Sequence, residues 1–297
     1  MDQFNVYKDM KARTNGEIYI GVVGPVRTGK STFIKRFMNL MVLPNIEDEN
    51  DRNRANDELP QSSSGKTIMT TEPKFVPNEA VSIKTEEGIE LNVRLIDCVG
   101  YMVEGATGHM EGEEERLVKT PWFDYEIPFT KAAAIGTKKV ITEHSTIGVV
   151  VTCDGSFGEI AAKQYEPAEE ETIKQLKALK KPFVVLLNTI HPYSESTKQL
   201  AAEKEEKYQT KVLPMNLEQM KKEDIYEIIK SVLMEFPISS IGFYVPRWTE
   251  MLKQDHPLKM ELLQMARDVI TEKTTMRDIY EEQEKEYEYI TGQKLES

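Results

Sequence analysis

Short unbroken apolar runs alternate along the chain with longer stretches in which apolar residues recur every three or four positions. The runs predict strands at 17–24, 81–84, 91–97, 146–153 and 182–188, with 211–214 as a short last one. Runs of this kind suit a sheet covered on both faces. The helical spacing predicts helices over 31–40, 129–142, 169–179, 195–208 and 222–236. Glu86-Glu87-Gly88 between two of the runs reads as a hairpin turn, which adds one antiparallel strand to an otherwise parallel sheet. The order predicts an α/β domain, doubly wound, over residues 1–236. Two stretches break the alternation. Residues 45–71 are polar and rich in breakers, and read as a mobile loop. Residues 98–129 carry four glycines and the acidic cluster Glu111 to Glu115, and read as a long functional loop. From Pro237 prolines punctuate the chain and strand signals fade. Helices are predicted at 258–272 and 274–289, so 237–297 reads as the start of a second, mainly helical domain.

Composition narrows the function classes. The chain has 297 residues, is 39% hydrophobic and 30% charged, and carries a net charge of −12. That charge argues against general nucleic-acid binding. The two cysteines, Cys98 and Cys153, lack metal spacing and sit at strand ends, where reduced core thiols are expected. Neither a signal-peptide pattern nor an apolar run of membrane-spanning length is visible, so a cytoplasmic chain is expected.

Within this frame Gly24-Pro25-Val26-Arg27-Thr28-Gly29-Lys30-Ser31 matches G-x-x-x-x-G-K-S, the P-loop, between a predicted strand and a predicted helix. Its glycines let backbone N–H groups face phosphate oxygens, and the helix N-terminus adds its dipole. Lys30 then reaches the β- and γ-phosphates, and the Ser31 hydroxyl ligates Mg²⁺. Thr28, Gly29 and Thr32 complete the binding segment. Asp97-Cys98-Val99-Gly100 is D-x-x-G: Asp97 is placed for the Mg²⁺ shell, or caps a turn, and the Gly100 N–H is placed for the γ-phosphate. Thr70 and Thr71 are candidates for a hydroxyl that meets Mg²⁺ or the γ-phosphate. Tyr101 stands where small GTPases commonly carry a water-orienting Gln. Arg27 either supplies a cation beside the phosphates or pairs with a carboxylate. The strand at 182–188 ends in Asn188-Thr189-Ile190-His191, where guanine-specific relatives have N-K-x-D. Asn188 is kept, and the Asp that selects guanine is missing.

Taken together, residues 24–32, the string from Gly65 to Pro77, Leu95 to Tyr101 and the Asn188-Thr189 ending resemble the stage IV sporulation protein A family along essentially the whole chain. The resemblance implies a P-loop NTPase of the GTPase-like (TRAFAC) branch that uses ATP with Mg²⁺. It implies hydrolysis that drives self-assembly into the basement layer of the bacterial spore coat, on the forespore surface within the mother cell. It implies as partners further copies of the chain, the small amphipathic membrane peptide SpoVM and other coat proteins. By position it makes Lys30 the phosphate lysine, Asp97 the Mg²⁺ acid, and Thr70 and Thr71 the γ-phosphate sensors. It also implies further C-terminal sequence in family members. The competing readings are a GTPase-like switch acting through partner binding, against which the lost N-K-x-D argues, and a structural coat protein with a vestigial site, against which Lys30, Ser31 and Asp97 argue.

Overall fold

The structure, a computed structural model, describes residues 16–60, 72–84, 90–111, 114–158, 160–238 and 241–280. The chain divides into two compact units, residues 7–232 and a unit built mainly from residue 233 onward.

The larger unit is built on a six-stranded sheet in the order β10-β9-β8-β1-β3-β2. Its strands are β1 (Glu17–Val23), β2 (Lys74–Lys84), β3 (Glu90–Asp97), β8 (Ile147–Cys153), β9 (Phe183–Asn188) and β10 (Val212–Met215). All neighbours run parallel except β2, which lies antiparallel to β3. The predicted P-loop NTPase class therefore holds, including its one antiparallel strand. Every residue of β8 and β9 is buried, as strands covered on both faces require. β2 is longer than its predicted run at 81–84. It carries Pro77 and a register irregularity between Val76 and Val81, features an edge strand tolerates.

The helices between and after these strands include α1 (Lys30–Phe37), α3 (Phe129–Lys139), α4 (Ala162–Ala178), α5 (Glu195–Tyr208) and α6 (Lys222–Met234). α1 and α3 each run on into a π-helical turn, Met38–Val42 and Val140–His144. α1 buries Phe33, Ile34 and Phe37 on its inner face. α4 starts at Ala162, not at 169, and carries Pro167 inside it, the residue that hid its first turns from the periodicity.

Two predicted loops contain structure. The stretch 45–71 holds a helix, α2 (Glu49–Asp57), whose N-terminus is capped by the Asp48 carboxylate accepting from the Asn50 and Asp51 N–H groups at 2.8 and 2.9 Å. It buries only Ala55, so no apolar period marks it. The stretch 98–129 folds into two small antiparallel pairs, β4 (Met110–Glu111) with β5 (Glu114–Glu115) and β6 (Leu117–Thr120) with β7 (Phe123–Pro128).

In the smaller unit Pro237 bridges Thr275, and Arg277 pairs with Glu235 at 3.5 Å. A short 3-10 turn (Arg247–Met251) precedes α7 (Pro257–Glu272) and α8 (Met276–Tyr280). The predicted helix 274–289 is seen as α8; positions 281–289 lie outside the described residues. Among the described residues no helix is long and apolar enough to cross a membrane.

Candidate nucleotide site

The loops after β1, β3, β8, β9 and β10 gather at the carboxyl ends of the parallel strands, where doubly wound sheets bind their ligands. The loop after β1 is the P-loop. Gly29 caps α1 at φ +101°, a left-handed conformation that suits glycine, and a Cβ there would meet the Asn188 amide nitrogen at 2.5 Å. Arg27 also adopts a left-handed φ, of +60°, at a cost of about 1 kcal/mol for a residue with a side chain. Thr28 is buried and closes the loop by donating its hydroxyl to the Pro25 carbonyl at 3.0 Å.

Lys30 is 5% exposed, and its ammonium donates to the Pro25 carbonyl and, at 3.4 Å, to that of Gly24. Burial pushes its pKa down, with the Cys98 and Asp97 charges opposing the shift. Ser31 Oγ donates to Asp97 Oδ2 at 3.3 Å. The other carboxylate oxygen, Asp97 Oδ1, is buried without a hydrogen-bond partner. Burial lifts the Asp97 carboxyl to about 6 against the pull of Lys30 and the Ser31 hydrogen bond. A buried acceptor without a donor is costly by itself and is the group a hard cation satisfies. Ser31 and Asp97 thus fit Mg²⁺, which takes few protein ligands and completes its shell with water and phosphate oxygens. Among the described residues no cluster of three or more acidic, His or Cys side chains forms a denser metal cage.

The segment after β3 runs beside the P-loop. Val26 N–H donates to the Tyr101 carbonyl at 2.9 Å, and Tyr101 N–H to that of Gly24 at 3.3 Å. Gly100 sits in the tightest part of this contact. At φ +95° a Cβ there would stand 2.2 Å from the Gly24 carbonyl oxygen and 2.6 Å from Lys30 Nζ. Its N–H donates to Thr137 Oγ1 at 3.1 Å. The Tyr101 hydroxyl donates to Gln175 Oε1 on α4 at 2.8 Å, and burial pushes its pKa up to about 12. Cys98 is a free, buried thiol donating to the Val22 carbonyl, with its pKa pushed up to about 11 by burial.

Asn188 joins two loops. Its side-chain Nδ2 donates to the Thr28 carbonyl at 3.0 Å and its side-chain Oδ1 accepts from Leu217 N–H at 3.2 Å. The loops after β8 and β9 are tied by Ile190 N–H donating to Ser156 Oγ and Asp154 N–H to the Asn188 carbonyl.

Gly24, Thr28, Gly29, Lys30, Ser31, Asp97, Gly100 and Asn188 therefore converge. Thr32 lies half-buried on α1. The Arg27 guanidinium donates to the Thr107 hydroxyl at 3.1 Å and to its carbonyl at 3.3 Å, so neither sequence reading of Arg27 names this partner. Thr70 and Thr71 lie outside the described residues. Sequence reasoning missed Thr137, Gln175, Thr107 and Leu217. They come from other elements and no spacing rule links them to the motifs.

Comparison with known proteins identifies the family. The family model for the stage IV sporulation protein A ATPase domain matches residues 1–237, and that for the middle domain of the same family matches 238–297. Proteins called stage IV sporulation protein A from Clostridioides difficile (strain 630), Bacillus anthracis and Bacillus subtilis (strain 168) are 54%, 49% and 48% identical over 93%, 94% and 94% of this chain. The chain spans 56%, 57% and 57% of their respective lengths. Among solved structures, a crystal structure of an SsGBP variant overlaps 75% of this chain and 57% of its own at 14% identity and a TM-score of 0.41, too loose a likeness to carry an argument. The chain belongs to the stage IV sporulation protein A family.

Proposed function

We propose that this chain hydrolyses ATP to ADP and phosphate with Mg²⁺, and that hydrolysis changes its shape and drives its assembly with further copies into the basement layer of the spore coat. The observation that carries the ATPase reading is the pairing at the carboxyl end of the sheet. Lys30 is held at the mouth of the P-loop, and Ser31 stands 3.3 Å from an Asp97 carboxylate whose other oxygen lacks a partner. Lys30 leaves the Pro25 and Gly24 carbonyls for the phosphates and neutralises charge on the β- and γ-oxygens. Ser31 and Asp97 hold Mg²⁺, which supplies electrostatic stabilisation of the transferring phosphoryl group. P-loop and D-x-x-G backbone groups position the γ-phosphate for in-line attack by water. Thr70 and Thr71 sense it, and Arg27 adds positive charge if its guanidinium turns from Thr107.

ATP is the proposed nucleotide because Asn188 is spent on Thr28 and Leu217 and no Asp follows at the guanine-reading position. A bidentate carboxylate contact to guanine is worth about 1–3 kcal/mol per hydrogen-bonded partner. Its loss removes the preference for GTP. The localisation proposed with this function is the mother-cell cytoplasm at the forespore surface, with SpoVM and other coat proteins as partners; both follow from the family resemblance, and the family names themselves support a role in sporulation.

Phosphate release from ATP and GTP, measured side by side, tests the reading. ATP is expected to turn over faster, Lys30→Ala to abolish turnover, and Asp97→Ala to lower it at least tenfold at fixed Mg²⁺. A GTP rate clearly above the ATP rate would overturn the nucleotide assignment, and unchanged rates in both variants would overturn the site.

A further inference from the structure

Thr137 belongs to none of the nucleotide motifs, yet it holds the backbone group placed to read the γ-phosphate. It lies on the buried face of α3, among Ala132, Ala133 and Gly136, and is itself fully buried. Small residues on that face leave room for the segment after β3 to approach. The Thr137 hydroxyl donates its only proton to the Ala133 carbonyl at 2.8 Å. Toward Gly100 it can therefore only accept, and it accepts the Gly100 N–H at 3.1 Å. The same glycine is so close to Lys30 that a Cβ would stand 2.6 Å from Nζ. The glycine is thus beside the phosphate lysine, while its N–H is turned to a side chain.

We propose that Thr137 is a positioning residue that holds the Gly100 N–H while no γ-phosphate is bound and yields it when one is, so that it sets how strongly ATP is favoured over ADP. The inference rests on the ATP-site reading above. With ADP the N–H keeps Thr137 as its acceptor; with ATP it moves to a γ-phosphate oxygen. Exchange of one acceptor for another costs little, whereas a buried N–H without an acceptor is expensive. Replacing the hydroxyl by a methyl group of the same shape leaves the N–H with ADP only the sulfur of Cys98, a weak acceptor, and with ATP a full phosphate acceptor. The variant therefore discriminates between the two nucleotides more strongly than the native chain, an effect opposite to that of damage to the site.

The test is a calorimetric titration of the whole chain with Mg²⁺-ADP and with a non-hydrolysable ATP analogue. In Thr137→Val the ratio of the ADP to the analogue Kd is expected to rise about tenfold. Thr137→Ser keeps the hydroxyl and is expected to keep the native ratio. An unchanged ratio in a folded Thr137→Val chain that binds both nucleotides overturns the role of Thr137 and leaves the ATP-site reading standing. Failure of the native chain to bind either nucleotide overturns both. A second measurement needs no disruptive variant. In a chain with labelled threonine methyl groups, the Thr137 signal, identified by its disappearance in Thr137→Ser, is expected to shift with the analogue and not with ADP. A signal that answers both nucleotides alike overturns the inference.

Discussion

Asp97 is where a proton and a divalent cation compete for the same oxygens. Burial raises its carboxyl from 3.8 to about 6, so the folded chain without metal takes up a proton that the unfolded chain does not between roughly those values. In that window the folded state binds more protons, and this group's contribution to stability rises as pH falls. Mg²⁺ needs the ionised form, so Mg²⁺-dependent ATP binding weakens in the same window, by up to about tenfold per pH unit below 6. The two trends have opposite signs, which distinguishes the effect from general acid damage. Asp97→Asn is expected to lose both; calorimetric ATP affinity and urea unfolding from pH 4 to 8, native chain against variant, check it. A native chain whose Mg²⁺-dependent affinity is flat from pH 7 to 5 would contradict the assignment. At this scale the sequence announced Lys30, Ser31 and Asp97, because each occupies a fixed place in a motif whose chemistry dictates the residue type. It could not announce Thr137 or Gln175, whose roles come from helices packed over the loop. Nor could it decide Arg27, whose partner Thr107 is 80 residues away.

Elements legible in the chain were those with an apolar period, and the reason shows in the exceptions. β8 and β9 are buried along their whole length and were plain in the sequence. α2 buries only Ala55 and is held by the Asp48 cap and local polar contacts, and it read as a loop. The hairpins between 110 and 128 alternate weakly, with Leu117 and Tyr125 exposed, so no core face marks them. Pro167 obscures the start of α4, whose inner face carries a charged residue that matters for stability. Glu169 is fully buried there; it accepts the Thr152 hydroxyl from β8 and pairs with Lys204 of α5 at 2.6 Å. This ion pair links two helices and a central strand. Breaking it from one side leaves a buried carboxylate whose desolvation is no longer offset. Lys204→Ala is expected to destabilise the larger unit by about 3 kcal/mol, read as a lower urea midpoint at unchanged slope. Adding Glu169→Gln to that variant is expected to restore part of the loss. A single variant within about 0.5 kcal/mol of the native chain would show the pair to be dispensable.

Across the whole molecule, the described parts of the nucleotide site lie in one unit. The six strands, the P-loop, Asp97, Thr137 and the Asn188–Leu217 tie all fall between residues 16 and 232. Nearly all of the buried apolar side chains belong to the same stretch. The alternation of strands and helices made this unit legible from the sequence, while the segment from 237 onward offered only prolines and helical spacing. In that segment Tyr244, Trp248, Met251, Met260, Leu263 and Ile270 are exposed, and among the described residues beyond Leu233 only Thr249 and Met276 are buried. A stretch of about 60 residues hides only about 60% of its surface even when well packed, and the described residues of this one are mostly exposed or half-buried. The two parts are therefore expected to behave unequally when separated. A fragment of residues 1–237, the span matched by the ATPase-domain model, is expected to unfold cooperatively and to bind Mg²⁺-ATP within about twofold of the full chain, a difference of about 0.4 kcal/mol. A fragment of residues 238–297 is expected to lack a cooperative transition, because too little apolar surface leaves water to offset the ordering of its backbone. Thermal unfolding followed by circular dichroism, with nucleotide titration of the larger fragment, checks both. A larger fragment that is folded but binds ATP ten times more weakly than the full chain would show that the smaller unit contributes to the site, and a sharp transition in the smaller fragment would show that it holds a core of its own.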